Sequence, residues 1–241
     1  MLVRSTHDGV MTITLITGAN KGLGFETARR LVDAGHIVLL GARDRERGTA
    51  AADSLGVRFV QIDVSDDDSV AAAAADILEH EGALDVLVNN AGIMGTLGDV
   101  GSLSAADARD VYEVNVFGVI RTTTAFLPLL ARSNDPVIVN VSSEMGSLSA
   151  THDPDRAESR VLAPLYASSK AALTMLTTQY AKAVPSVRIN AVDPGYTGTD
   201  LNGHHGPQTV EEGTDAVVAL ATEGPGSPTG RFVNREGRID W

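Results

Sequence analysis

Apolar runs and amphipathic runs alternate along this chain. "TITLIT" (12–17), "HIVLLGA" (36–42), "VRFVQID" (57–63), "LDVLVNN" (84–90), "PVIVNVS" (136–142), "VRINAVDP" (187–194) and "GRFVN" (230–234) are short, rich in Val and Ile and poor in polar residues, so they read as strands. The segments between them carry helix signals. "GLGFETARRLVDAG" (22–35) closes on a glycine, "RERGTAAADSLG" (45–56) does the same, and "SDDDSVAAAAADILEHEG" (65–82) opens on acids before closing on glycine. "SAADARDVYEVNVFGVIRTTTAFLPLLAR" (104–132) reads as one long helix, another follows Leu165, and a last one covers 209–222. Strands this apolar suit a parallel sheet covered on both faces. Regular β–α alternation predicts a doubly wound α/β sheet of about seven strands with right-handed crossovers.

Composition narrows the picture. A chain of 241 residues with no shift in composition along its length suits one core. Residues 12–241 are expected to form a single domain, with 1–11 an N-terminal extension, its first ten residues peripheral and Met11 a candidate start. Aromatics are 4% of the chain, so Val, Leu, Ile and Ala must build the core. A net charge of −12 argues against nucleic acid and anionic membranes as partners. The absence of cysteine excludes disulfides, thiolate catalysis and cysteine-ligated metals. Runs such as "IVLL" and "AFLPLLA" fall far short of the roughly 20 residues that span a bilayer, and no apolar leader precedes the first strand. A cytoplasmic protein is expected.

Three stretches carry chemistry. "ITGANKGLG" joins the first strand to the first helix, with Gly18, Gly22 and Gly24 spaced G-x-x-x-G-x-G. Such a turn lets backbone approach a pyrophosphate, and the helix N-terminus supplies N–H groups and a positive dipole end. A tight connection with no ligand would need similar glycines. The second strand ends Gly41-Ala42-Arg43, where an acidic residue would hold the ribose hydroxyls of NAD. Arg43, helped by Lys21, can pair with a 2′-phosphate instead, which favours NADP(H). Asp44 and Glu46 are near enough to neutralise part of that charge. Finally, "YASSK" puts Tyr166 and Lys170 four residues apart, hence on one helix face. Taken alone, this pair also describes a surface helix with a snorkelling lysine.

In combination these motifs resemble the short-chain dehydrogenase/reductases, over nearly all of Thr12 to Trp241. "TGANKGLG" looks like that family's cofactor turn, with Gly18, Asn20, Lys21, Gly22, Leu23 and Gly24 as contacts. Asp63-Val64 resembles its adenine contact, and "NNAG" is similar to the motif closing the fourth strand, offering Asn89, Ala91 and Gly92. "DPGYTGTD" (193–200) looks like the nicotinamide loop, with Pro194, Gly195, Thr197 and Thr199. The resemblance implies a Rossmann-type fold, NADP(H) as cofactor, and a catalytic set of Asn115, Ser143, Tyr166 and Lys170. Tyr166 would be the general acid, its pKa lowered by Lys170, which would also hold the nicotinamide ribose. Ser143 would hydrogen-bond the substrate carbonyl, with Ser142 the alternative, and Asn115 would anchor a water feeding protons to Lys170. The implied activity is reduction of a ketone or aldehyde to an alcohol. A 3-oxoacyl-carrier reductase and a non-catalytic NADP(H)-binding sensor or scaffold are the alternatives, although such sensors usually lose the tyrosine or lysine.

The chain also departs from the family pattern. Ser143 and Tyr166 are 23 positions apart, and the extra polar material, "LSATHDPDRAESRVLAP", is expected to form a surface excursion at the site's mouth, as in the carbonyl reductases. The C-terminal "GRFVNREGRIDW" lacks the glycine pair and tail of tetrameric members. Both departures point to a monomer or dimer. His204 and His205 are adjacent, so they read as loop residues rather than a metal pair. Met94, Met145, Tyr196 and Leu201 are candidates for an apolar substrate pocket or for core packing.

Overall fold

The helices begin where short polar side chains can satisfy otherwise free N–H groups. Asp44 accepts from the Arg47 N–H at 2.9 Å and starts α2 (Arg45–Leu55), and Asp66 accepts from Ser69 at 2.8 Å and starts α3 (Asp67–His80). Reciprocal capping boxes, Ser104 with Asp107 and Thr209 with Glu212, open α4 (Ala105–Tyr112) and α8 (Val210–Thr222). Pro164 occupies the first turn of α7 (Pro164–Ala183), where its missing N–H costs nothing. The remaining helices are α1 (Gly22–Asp33), α5 (Gly118–Leu130) and the short α6 (Leu148–His152). These are seen in a computed structural model that describes residues 11–97 and 99–241; the first ten residues of the expected extension at 1–11 lie outside the described residues.

The strands β1 (Ile13–Ile16), β2 (Ile37–Ala42), β3 (Arg58–Gln61), β4 (Val86–Asn89), β5 (Val137–Val141), β6 (Arg188–Val192), β7 (Phe232–Asn234) and β8 (Gly237–Arg238) form one sheet in the order 3-2-1-4-5-6-7-8. The first seven run parallel; β8 turns back antiparallel on β7. This is the doubly wound Rossmann-type sheet the alternation predicts, plus an eighth strand. Two residues long, β8 has too little pattern to be read from sequence. Neighbouring strand residues send side chains to opposite faces. Leu15, Leu39, Leu87 and Ile138 join one buried layer, under α3 and α5, while Ile16, Leu40, Val88 and Val139 join the other, under α1 and α8. Both faces are therefore apolar, which is why the strands lack polar alternation. Among the described residues no helix is long and apolar enough to cross a membrane.

The connections leaving β1 and β4 run to opposite sides, so a crevice opens at the carboxyl ends of these strands, where such sheets bind ligands. Two departures from the predicted elements fall beside it. The expected helix over 104–132 is interrupted by a π-turn at Glu113–Phe117, in which the Gly118 N–H reaches back five residues to the Glu113 carbonyl. The polar excursion after β5 contains α6 and a short 3₁₀ turn at Ala157–Arg160.

The turn after β5 presses on α7 through Gly146. A methyl group there would lie 2.6 Å from the Ala171 nitrogen and 2.6 Å from the Lys170 carbonyl carbon, with no flexible side chain to yield. Gly146→Ala should therefore destabilise the fold by about 1–3 kcal/mol through overpacking. Gly224→Ala, where a methyl meets nothing within 4 Å, should be near neutral in the same urea titration. Equal stabilities for the two variants would refute the close approach.

Candidate active site

The cleft at the end of β1 has a volume of about 510 Å³ and is lined along one side by Gly18, Asn20, Lys21, Gly22, Leu23 and Gly24. Gly18 has φ +64°, a left-handed turn that other residues adopt only with strain. Gly24 allows close approach: a methyl there would sit 2.7 Å from the Gly18 carbonyl oxygen and 2.5 Å from Asn90 Nδ2. Helix α1 differs from α2, α3, α4 and α8 in having no side-chain cap and no acid in its first turn. Its N–H groups and positive dipole end are left to the cleft, which is how a helix end is prepared for phosphate. The residues present thus fit a dinucleotide.

Farther along the cleft stand Arg43, Asp63 and Val64. The Arg43 side chain is largely exposed, with its nitrogen 3.9 Å from Asp63 Oδ2. Asp44 does not neutralise it, because that carboxylate caps α2 and bonds the Arg47 guanidinium at 2.9 Å. Arg47 itself lines the cleft one turn into α2, a second cation that the end of the strand did not reveal. Lys21 is turned away from this end. Its ammonium bonds Asp200 at 2.6 Å across the mouth of the cleft, and His204 bonds the other oxygen of Asp200 at 2.8 Å. The expected help from Lys21 to Arg43 is not seen.

The four expected catalytic residues converge. Tyr166 and Lys170 are buried on the inner face of α7, with the Lys170 ammonium 5.5 Å from the Tyr166 ring centre and donating to the Val141 carbonyl at 2.8 Å. The surface-helix reading is thereby excluded. Gly92 lies between Lys170 and Asn115: a methyl on it would be 3.6 Å from Lys170 Nζ and 3.4 Å from Asn115 Oδ1. Asn115 sits in the π-turn with its amide fully used, accepting from the Ile93 N–H at 2.8 Å and donating to the Ile93 carbonyl at 2.9 Å and Ser169 Oγ at 3.0 Å. The two serines after β5 part ways. Ser142 is buried against Thr174 at 2.8 Å and the Lys170 carbonyl at 3.2 Å, whereas Ser143 faces the Tyr166 phenol.

The electrostatics correct one expectation. Burial, reinforced by the charge of Asp193, pushes the Tyr166 phenol well above the usual tyrosine range, and the Ser143 hydroxyl offsets only part of this. Burial also pushes the Lys170 ammonium down to about 8, with Asp193 pulling it up. Lys170 is charged below about pH 8, yet in the free protein its charge does not outweigh the burial that holds the Tyr166 phenol up. Asp193 is pushed up to about 7 by burial, opposed by the Gly195 N–H.

Several expected contacts fall elsewhere. Asn89 does not face the cleft: its amide donates to Asn140 at 2.9 Å and accepts from Thr122 at 2.8 Å, because β4 turns alternate residues to opposite faces. Its neighbour Asn90 lines the cleft beside Ala91 and Gly92, donating to the Thr17 carbonyl at 2.8 Å and so holding the glycine turn. Thr199 lines the same cleft; Pro194 and Gly195 line an adjoining one of about 300 Å³, and Thr197 is buried with its hydroxyl on the Pro194 carbonyl at 3.0 Å. Met94 and Leu201 also line the main cleft, and Tyr196 is exposed.

The excursion is tied down by charge. Arg156, which it carries, forms an ion pair with the buried Glu144, the residue after Ser143, and bonds Glu158 at 3.2 Å. Asn234 of β7 donates to the other oxygen of Glu144 at 2.7 Å. The C-terminus closes the arrangement: Ser147 Oγ donates to the Asp240 carbonyl at 2.7 Å, and Trp241 stacks on Phe232 with centroids 5.8 Å apart.

Comparison with known proteins agrees with this fold. The family model described as short chain dehydrogenase matches residues 12–209. Short-chain dehydrogenase anuI of Penicillium roqueforti is 37% identical, with 94% of this chain and 95% of that protein aligned. The (-)-isopiperitenone reductase of Mentha piperita is 36% identical, over 94% of this chain and 97% of that protein. Among solved structures, NADPH-bound carbonyl reductase from chicken fatty liver superposes with a TM-score of 0.84 at 27% identity, covering 96% of this chain and 99% of that one.

The Arg156 pair generates a prediction. Arg156→Ala would leave the buried Glu144 carboxylate with Asn234 as its remaining partner. The expected loss is about 1–3 kcal/mol, seen as a fall in Tm of roughly 2–10 °C, with faster proteolysis inside 148–163. An unchanged Tm and cleavage pattern would show that the pair does not order the excursion.

Proposed function

The chain belongs to the short-chain dehydrogenase/reductase family, and on that premise we propose that it is an NADPH-dependent reductase converting a ketone or aldehyde to an alcohol. The observation that carries this reading is the convergence of Tyr166, Lys170 and Ser143 beside a cleft that ends on the uncapped N-terminus of α1. The pyrophosphate would rest on the glycine turn, the 2′-phosphate against Arg43 and Arg47, and the nicotinamide end near Ala91, Gly92 and Thr199. When bound, the cofactor supplies the hydride.

The chain's own residues would then manage one proton and one developing charge. The carbonyl oxygen gains negative charge in the transition state. Ser143 would donate a hydrogen bond to it, and the Tyr166 phenol would transfer its proton. Burial keeps that phenol protonated at neutral pH, as a general acid must be. Lys170 would favour the phenolate left behind, provided the ammonium is charged. With the Asn115 side chain fully bonded, any proton-relay water would be held by its backbone carbonyl, in a π-turn where the regular helix ladder is broken.

The substrate would enter past Met94, Tyr196 and Leu201, which suits an apolar carbonyl compound. A monomer or at most a dimer fits as well, in a cytoplasmic setting. The C-terminal residues bond the chain's own excursion rather than standing free for a second dyad. Phe117 and Met175 remain exposed on the helical side.

Three outcomes are expected. Tyr166→Phe should retain NADPH binding by fluorescence titration while kcat falls on the order of 100-fold or more; near-normal kcat would remove Tyr166 from the chemistry. Wild type should prefer NADPH to NADH in kcat/KM, and Arg43→Ala should erode that preference about tenfold; an unchanged ratio would refute the assignment. For pH, kcat/KM for reduction should fall above about pH 8. Lys170 loses its positive charge there, while Tyr166 keeps its proton. A profile flat to pH 10 would contradict a role for the charged lysine.

A further inference from the structure

Resting on the reductase reading, we infer that Asp193 is a positioning residue of the site, joining the Ser143 turn to the nicotinamide loop. Asp193 follows directly on β6, and its carboxylate is buried. One oxygen accepts from the Glu144 N–H at 3.0 Å; the other accepts from the Gly195 N–H at 2.9 Å. The first of these N–H groups belongs to the residue after Ser143, and the second opens the loop that carries Thr199. The Asp193 N–H is bound to the Val233 carbonyl at 2.8 Å, so the carboxylate is presented from a fixed sheet position. A single side chain thus sets the spacing between the two segments that close on the reacting atoms.

Its charge acts on the same site. Asp193 raises both Tyr166 and Lys170, the two titrating groups of α7 that face it. From the excursion it faces Glu158, which raises its own pKa, and Arg156, which lowers it. Glu144 is spoken for by Arg156 and Asn234. Across the small adjoining cleft, Glu212 of α8 is paired with Arg235 at 3.0 Å, and Glu236 completes that rim. Asp193 is therefore the carboxylate whose ionisation is coupled to the catalytic lysine. Near neutral pH it gains charge as pH rises, opposing the loss of the lysine's proton.

The sign of the effect follows. Removing the carboxylate charge takes away an upward pull on Lys170, so the lysine should discharge at lower pH. Removing Glu158 leaves Asp193 more fully ionised, so the lysine should hold its proton to higher pH. The chain has three lysines, Lys21, Lys170 and Lys182, so protein labelled with [13Cε]-lysine gives three NMR signals, assignable with Lys21→Arg and Lys182→Arg.

In the cofactor-free protein, Asp193→Asn should move the Lys170 midpoint down by about one pH unit, and Glu158→Gln should move it up. With NADPH and a reducible carbonyl, Asp193→Asn should lower kcat about tenfold and shift the alkaline limb of kcat/KM to lower pH. A Lys170 midpoint unmoved by both substitutions overturns the inference, as does a pH profile of Asp193→Asn that superposes on wild type after scaling. If Asp193→Asn does not fold, the Glu158→Gln titration decides. Absence of any NADPH-linked turnover in wild type would reject the reductase reading alone, since the titration needs no turnover.

Discussion

A buried ammonium sets the terms for this end of the molecule. Lys170 is 4% exposed and, among the described residues, donates to one acceptor, the Val141 carbonyl. A charge removed from water to that extent is costly unless neighbours compensate it. The fall of its pKa to about 8 expresses that cost. The surrounding features either bring a compensating group to it or let the backbone come close enough to do so. Gly146 brings the turn after β5 onto its helix, Gly92 leaves room beside it, and Asp193 supplies the opposing charge.

The excursion and the C-terminus serve the same arrangement from outside. Arg156 neutralises Glu144, which would otherwise add a second uncompensated buried carboxylate next to Ser143. Asn234 and the Asp240 carbonyl anchor the same region from the sheet edge and the chain end. The extra residues between Ser143 and Tyr166 are therefore part of the site's electrostatics as well as of its rim. Lys21 and Arg156, the cations beside this region, are both paired with carboxylates.

The fold was readable from sequence because each element announces itself locally. Seven strands are short apolar runs, and the caps at Asp44, Asp66, Ser104 and Thr209 lie where Asp, Ser or Thr precede helical periodicity. The π-turn at Glu113–Phe117 was not readable, since the segment has helical periodicity throughout and one extra residue in a turn leaves no mark in composition. Nor was β8, two residues stabilised by a hairpin rather than by pattern. In the candidate site, the i, i+4 spacing placed Tyr166 and Lys170 together, and the glycine turn placed the cleft. The Asn89 side chain turns away from the cleft while that of Asn90 lines it, because which of two adjacent asparagines faces a ligand depends on the phase of the strand's pleat.

What the sequence by itself determined is the set of covalently local decisions: element order, caps, the pairing of Tyr166 with Lys170, and an exposed arginine where an acid would select NAD. These depend on neighbours within a few residues, so they can be read off the chain. What only the tertiary structure decided is the environment those residues meet. Lys21 turns to Asp200, 179 positions away; Asp193 joins a turn 49 positions earlier to the loop just after it; Asp44 is withdrawn from Arg43 by α2. Burial and charge add over all neighbours in space, whatever their separation along the chain. For that reason the pKa of Tyr166 moved opposite to the direction its helix neighbour alone would give.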